Sequence, residues 1–259
     1  MKSVDLNDLP DLPGLRIKTG DTFQFRCHEG LGCFNRCCRN LNLFLYPYDV
    51  LRLKNSLGTR SGEFIDIHTD VVLRPGSYFP DVLLKMADND QQTCPFLSEQ
   101  GCTVYPDRPD SCRTFPVEQG VVFKGSEKPE PVYFFRPPDF CLGQNESHCF
   151  TLATWAKDQD AVTYNAMTVL WSEVRNLFMN NPWGMEGPTG QRSKMAFMAL
   201  YNMDSFRDFV FGSSFLKRYK VKSDVQNKLK KNDVELMKFG FSFVKTTLFG
   251  IPSSLMRLK

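Results

Sequence analysis

The groups in this sequence whose type and spacing could do chemistry are thiols. Four sit in one short polar loop, Cys27, Cys33, Cys37 and Cys38, and four follow at Cys94, Cys102, Cys112 and Cys141; a ninth is Cys149. Three chemistries compete for such a set: disulfides, a nucleophilic thiol, or a metal. Nine cysteines in 259 residues is well below the roughly 8–10% of disulfide scaffolds. Their number is odd, and the opening MKSVDLNDLPDLPGLRIKTG carries early acids and no apolar core of a signal peptide. Reduced thiols in the cytoplasm are the expectation. A Cys/His nucleophile needs a histidine within hydrogen-bond reach. His28 and His148 each neighbour a cysteine in sequence and His68 does not; all three are expected at the surface.

Metal is the reading that remains. Thiolate-only ligation suits zinc or an iron–sulfur cluster, and a cluster of the [4Fe–4S] type is favoured slightly over zinc. Cys94-Pro95, Gly101-Cys102 and Cys112-Arg113 place cysteines beside turn signals, where backbone N–H groups can donate to sulfur. Arg26, Arg36, Arg39, Arg108 and Arg113 flank the cysteines, and guanidinium groups would stabilise an anionic thiolate centre. Arg108 and Arg113 are candidates to donate to metal-bound sulfurs, or else to pair with Asp107 or Asp110. The vicinal Cys37-Cys38 is informative because neighbouring side chains point in different directions. The eight thiols could make two four-thiolate sites, or one cluster plus a reactive or structural remainder. Cys149 stands apart and is expected to pack as a small apolar side chain.

The order of these pieces resembles a family. Phe25-Arg26-Cys27, Cys33 and Cys37-Cys38 are followed by Cys94-Pro95-Phe96-Leu97 and Gly101-Cys102-Thr103-Val104-Tyr105. Arg108-Pro109, Cys112-Arg113 and Phe115-Pro116 come next, then a late cysteine. Over about residues 22–145 this is similar to the YkgJ-type, or CxxCxxCC, cysteine-cluster proteins. The resemblance implies zinc or iron chelation. In this chain the first loop is stretched from C-x2-C-x2-CC to C-x5-C-x3-CC. One branch resembles flagellin lysine N-methylases, so protein-lysine methylation is an activity implied by resemblance. The residues themselves speak against it: the one G-x-G, Gly30-Leu31-Gly32, has no strand and helix around it. Cys33 and Cys37 begin a C-x3-C-x2-C motif, but Asn40 stands where its third cysteine would be.

These residues must be positioned by elements legible in the pattern. The expected fold is α+β: an extended lead-in over 1–21, a small irregular cysteine-cluster domain over 22–150, and a mainly helical region over 151–259. Within the cluster domain, YDVLRLKNSL reads as a helix started by Pro47 and stopped by Gly58, and Ser61 opens another helical turn. CPFLSEQGCTVY reads as a hairpin turning at SEQG, and a second turn is expected at Glu118 to Gly120. Helices are expected over 151–178, 192–202, 204–219 and 233–249, with a loop over 181–190.

Composition bounds the partners. Hydrophobic content is 42% and charged content 24%, and 32 basic against 29 acidic residues leave a net charge of +3. That balance gives no reason to expect nucleic acid, and no apolar run is long enough to span a membrane. Lys217, Arg218, Lys220, Lys222, Lys228, Lys230 and Lys231 crowd together around Asp224, which reads first as a solvated helix end and linker. The aromatic FGFSFVKTTLFG after it is expected to pack inward, with a protein partner at the C-terminal helices as the alternative.

Overall fold

The computed structural model describes residues 11–124 and 128–259. The chain is α+β: its N-terminal part mixes short strands with short helices, and from Leu152 onward it is mainly helical. Residues 1–10 of the expected lead-in lie outside the described residues. Two compact units are each assembled from two stretches of chain: one from residues up to Leu43 with Lys85–Glu173, the other from Phe44–Leu84 with Val174–Lys259. The change of sequence texture near residue 150 coincides with the change in secondary structure; the compact units divide the chain differently.

The first unit is built on a three-stranded antiparallel sheet in the order Leu15–Ile17, Glu130–Phe135, Val117–Val122. The turn expected at Glu118 to Gly120 is instead strand interior, with Gln119 opposite Tyr133 and Gly120 opposite Val132. Cross-strand pairing over six residues outweighs the local turn preference of one glycine. Thr22–Gln24 pairs with Cys149–Thr151, setting Phe23 against Phe150 and Cys149 against Gln24. Side chains alternate along a strand. Phe23 and Phe150 therefore enter the core, and Cys149 faces outward and is exposed, contrary to the packed position expected of it.

Ile17, Phe23, Phe25, Val117, Cys141, Phe150 and Trp155 form the core of this unit. Trp155 is its hub. Its ring meets Phe25 at 5.5 Å and Phe150 at 5.0 Å between centroids, and its indole N–H donates to the Thr114 carbonyl at 3.2 Å. The helix expected over 151–178 is two helices, Leu152–Asp158 and Val162–Leu177. Thr151 caps the first by accepting from the Thr154 N–H. Asp160, with φ 52°, takes a left-handed conformation between them that no helix can continue through.

The second unit pairs Asp81–Leu84 with both Phe44–Leu45 and Thr69–Val72. It adds the helices Pro47–Ser56, Ser61–His68, Gln191–Tyr201, Met203–Gly212 and Asp233–Phe249. Pro47 occupies the first helical turn as expected, and the Tyr46 N–H is capped by Asp49 at 2.8 Å. The helix expected over 204–219 stops at Gly212 and restarts as Phe215–Arg218. Phe206, Phe239 and Phe243 are buried, and Phe243 lies 5.5 Å from Phe206 and 5.8 Å from Phe215, so the aromatic C-terminal segment packs inward. Gly240 has a specific role here: a Cβ on it would stand 2.2 Å from the Ala199 carbonyl oxygen. The seven clustered lysines and arginines are all exposed, and three of them lie in the last turn of Ser223–Lys231, where cations complement the helix dipole. No helix among the described residues is long and apolar enough to cross a membrane.

Candidate metal centre

The first cysteine loop is a string of tight turns. Leu31 N–H donates to the His28 carbonyl, Phe34 to Leu31, Arg36 to Cys33 and Cys38 to Asn35, at 2.9–3.1 Å. Asn35, with φ 62°, supplies the left-handed residue that starts the short helical turn Arg36–Cys38. The loop is tied down at two different places. On one side the Arg26 N–H donates to the Gly143 carbonyl at 3.0 Å, and the Leu142 N–H donates to Cys33 Sγ at 3.2 Å. Gly143 permits this approach, since a Cβ there would stand 2.7 Å from the Arg26 carbonyl oxygen. On the other side the Cys94 N–H donates to the Cys38 carbonyl at 2.8 Å, and Arg39 bridges to Thr93.

The downstream cysteines sit on turns. Leu97–Ser98 and Gly101–Cys102 form the expected hairpin, with Ser98 opposite Gly101 and Leu97 opposite Cys102. Gly101 has φ 110°, a conformation glycine adopts without a Cβ clash. The Phe96 N–H donates to the Cys94 sulfur, the Val104 N–H to the Cys102 sulfur, and the Gly143 and Gln144 N–H groups to the Cys141 sulfur. Three of the four downstream cysteines thus accept from the N–H two residues on, a turn that favours thiolate over thiol. Cys112 differs in lying on the short helix Asp110–Thr114.

All nine cysteines are free thiols. Burial, then the proximity of Cys37, Cys141 and Cys33, pushes the Cys27 thiol up to about 11. Cys37 and Cys38 share a hydrogen bond between their side chains, which lowers Cys37 to about 7 and raises Cys38; burial and the nearby Cys37, Cys112 and Cys94 raise Cys38 further. Burial is the leading cause of raised values at Cys94, Cys102 and Cys141. A crowd of thiols that resist ionising together is what mutual repulsion and burial produce, and a cation among them reverses the balance. Among the described residues, no three His, Cys, Asp or Glu side chains stand in an arrangement that could hold a metal ion. The donor chemistry nevertheless fits zinc or iron: free sulfurs, N–H groups aimed at them, and no disulfide competing for them.

The two arginines hold backbone turns in place. Arg108 donates to the Tyr105 carbonyl at 2.7 Å and to Gln159 Oε1 at 2.8 Å. Arg113, buried to 1% exposure, donates to the carbonyls of Gln159 and Pro106 at 2.7 and 2.5 Å, lies 3.9 Å from Asp160 and interacts with the Asp110 carboxyl through charge. These bonds clamp the turns around Cys102 and Cys112, while the Cys102 and Cys112 sulfurs act on Arg108 through charge. Around the first loop, Arg36 lies over Phe140, 4.9 Å from the ring centroid, and Arg39 bonds Gln91 Oε1 and the Asn35 carbonyl. His28 and His68 are half-exposed and His148 is exposed; His28 accepts from the Gly30 N–H at 3.2 Å and faces Glu146 at 3.8 Å.

Residues 26–142 match the family model described as "CxxCxxCC: Putative zinc- or iron-chelating domain". Over that segment the chain is similar to the CxxCxxCC domain family. No curated protein and no solved structure matches the chain. The CxxCxxCC match opens one residue before Cys27 and closes one residue after Cys141. It takes in the eight cysteines of the constellation and leaves out Cys149. The turn signals beside Cys94 and Cys102 pointed to the backbone donors found there. At Cys141 the signal is glycine at position 143, two residues on.

Proposed function

We propose that the CxxCxxCC domain chelates zinc or iron through the thiolates of Cys27, Cys33, Cys37, Cys38, Cys94, Cys102, Cys112 and Cys141, iron being held as an iron–sulfur cluster, with [4Fe–4S] favoured. The observation that carries this reading is the recurrent N–H-to-sulfur turn at Cys94, Cys102 and Cys141. Donors aimed at sulfur lower the cost of a buried thiolate and tune the centre it joins. Bound zinc would supply structural cross-linking, and a cluster would supply redox capacity or assist chemistry on another protein. Arg108 and Arg113 hold the turns that present the sulfurs, and Arg108 adds positive charge beside Cys102 and Cys112. A centre of this kind needs reduced thiols, which suits a reducing, cytoplasmic setting. In the purely structural form of this reading, the C-terminal helices are the place for a protein partner.

Anaerobic purification followed by metal analysis and a visible spectrum tests the proposal. Brown protein with iron and acid-labile sulfide is the expected result. Colourless protein with stoichiometric zinc keeps chelation and moves the role to structure. Metal-free protein whose thiols oxidise in pairs on exposure to air rejects it.

A further inference from the structure

We infer that the eight cysteines form two separate four-thiol centres, Cys27–Cys33–Cys37–Cys141 and Cys38–Cys94–Cys102–Cys112, divided at the Cys37–Cys38 peptide bond. The inference rests on thiolate chelation by the CxxCxxCC domain and deepens it. It answers the question the sequence leaves open, between two sites and one cluster with a remainder.

Backbone geometry makes the division. Residues 25–33 are tied to residues 141–148: Phe25 N–H donates to the His148 carbonyl at 2.9 Å, Arg26 to Gly143 at 3.0 Å, and Leu142 to Cys33 Sγ at 3.2 Å. Cys27, Cys33 and Cys141 are thereby gathered. One turn later, the Arg36 N–H returns to the Cys33 carbonyl at 3.0 Å, which keeps Cys37 within the same group. At Cys38 the chain changes partners. Its carbonyl accepts from the Cys94 N–H, the next residue bridges to Thr93, and the Asn40 N–H donates to Gln92 at 2.9 Å. The hairpin then brings Cys102 back beside Cys94, because Leu97 N–H bonds the Cys94 carbonyl at 3.0 Å and Leu97 faces Cys102. Cys112 joins this second group through Arg113, whose guanidinium ties its helix to the Pro106 carbonyl, four residues past Cys102.

The electrostatic neighbours divide the same way. Cys27 feels Cys37, Cys141 and Cys33, and Cys141 feels Cys33 and Cys37. Cys38 feels Cys112 and Cys94, Cys94 feels Cys102, and Arg108 feels Cys102 and Cys112. Where the two groups meet, the Cys37 and Cys38 side chains share a hydrogen bond.

The test uses the full chain, refolded or reconstituted anaerobically with zinc, and separately with iron and sulfide, and reads metal per chain. Wild type is expected to hold two equivalent centres. The doubles Cys33→Ser/Cys141→Ser and Cys94→Ser/Cys102→Ser should each keep half of the wild-type metal, with different spectra. The double Cys33→Ser/Cys102→Ser, which breaks both sets, should fall to background. Equal retention by the same-set and cross-set doubles overturns the division, as does a same-set double that empties the protein. A cadmium-loaded wild type needs no substitution: two cadmium resonances of equal area in the four-thiolate range support two centres, and one resonance overturns them. Wild-type protein that takes up neither zinc nor iron fails chelation itself, a result distinct from metal uptake with the wrong partition.

Discussion

The two compact units hold themselves together by different means. The unit of Phe44–Leu84 and Val174–Lys259 has what a hydrophobic core needs. Its helices run to 17 residues, the Phe79, Phe178 and Trp183 rings stack at 4.2–6.3 Å, and Gly240 allows close helix contact. In the unit that carries the cysteines, strands are two to six residues long and much of the chain is turn. Its apolar cluster centres on Trp155, and its cysteine loop is secured by backbone hydrogen bonds of about 3 Å. Short irregular chain buries too little surface to offset its own ordering entropy. A unit of this kind gains most from cross-links that are not apolar contacts, and thiolate–metal bonds are of that sort.

If the cysteine-bearing unit holds metal as proposed, the sharpest way to break the comparison is to remove it. Chelation should open the cysteine-bearing unit and leave the helices of the other standing, since apparent binding energies of structural thiolate sites reach about 10–16 kcal/mol. Hydrogen exchange, followed residue by residue, checks this: amides of residues 26–40 and 92–104 should lose protection, and those of Asp233–Phe249 should keep it. Uniform loss across both units would erase the distinction. Next in size is Trp155→Ala. It deletes the ring shared by Phe23, Phe25 and Phe150 and should cost about 3–5 kcal/mol. Denaturant unfolding of the metal-loaded protein measures it.

What the sequence made legible follows the same line. Local signals were readable: Pro47 at a helix start, SEQG at a hairpin, cysteines beside prolines and glycines. Each acts over a few residues, and the structure keeps each one. Non-local effects were not readable. Gly120 lies in a strand because residue 132 pairs with it. Arg113 interacts with the neighbouring Asp110 through charge, but it also donates to the carbonyls of Pro106 and Gln159, the second of them 46 residues away. The eight thiols could be read as a set from their order, and the grouping proposed for them rests on the hydrogen bonds that join residue 26 to 143 and residue 38 to 94. Cys149 misled because cysteine is often buried and because strand alternation assigns the inward place to Phe150.

Two smaller effects sharpen the contrast from the side of the helical unit and of the cysteines. Burial by itself would raise the Asp204 carboxyl. The Ser61 N–H and hydroxyl, at 2.7 and 2.9 Å, and the Lys54 ammonium outweigh burial and hold it below the usual carboxylate value of 3.8. A depressed carboxyl contributes stability at neutral pH, and that contribution is lost as pH falls below about 4. Asp204→Ala should therefore cost about 1–2 kcal/mol at neutral pH and flatten the acid limb of the stability profile of this unit, with urea midpoints between pH 3 and 7 as the measurement.

The smallest effect is the most selective. Cys149 is a thiol like the other eight, a few residues from Cys141, and among the most exposed of them. Strand pairing turns it away from the core, and its thiol donates to the Ser147 carbonyl at 3.7 Å. If proximity in sequence and thiol chemistry sufficed for ligation, Cys149→Ser would lower metal content as Cys141→Ser does. If backbone geometry selects the ligands, Cys149→Ser should leave metal per chain unchanged and shift stability by no more than about 0.5 kcal/mol, while Cys141→Ser removes a core side chain and a ligand together. Metal analysis of the two single variants side by side separates the cases, because they differ in burial and in N–H donors and hardly at all in chemistry.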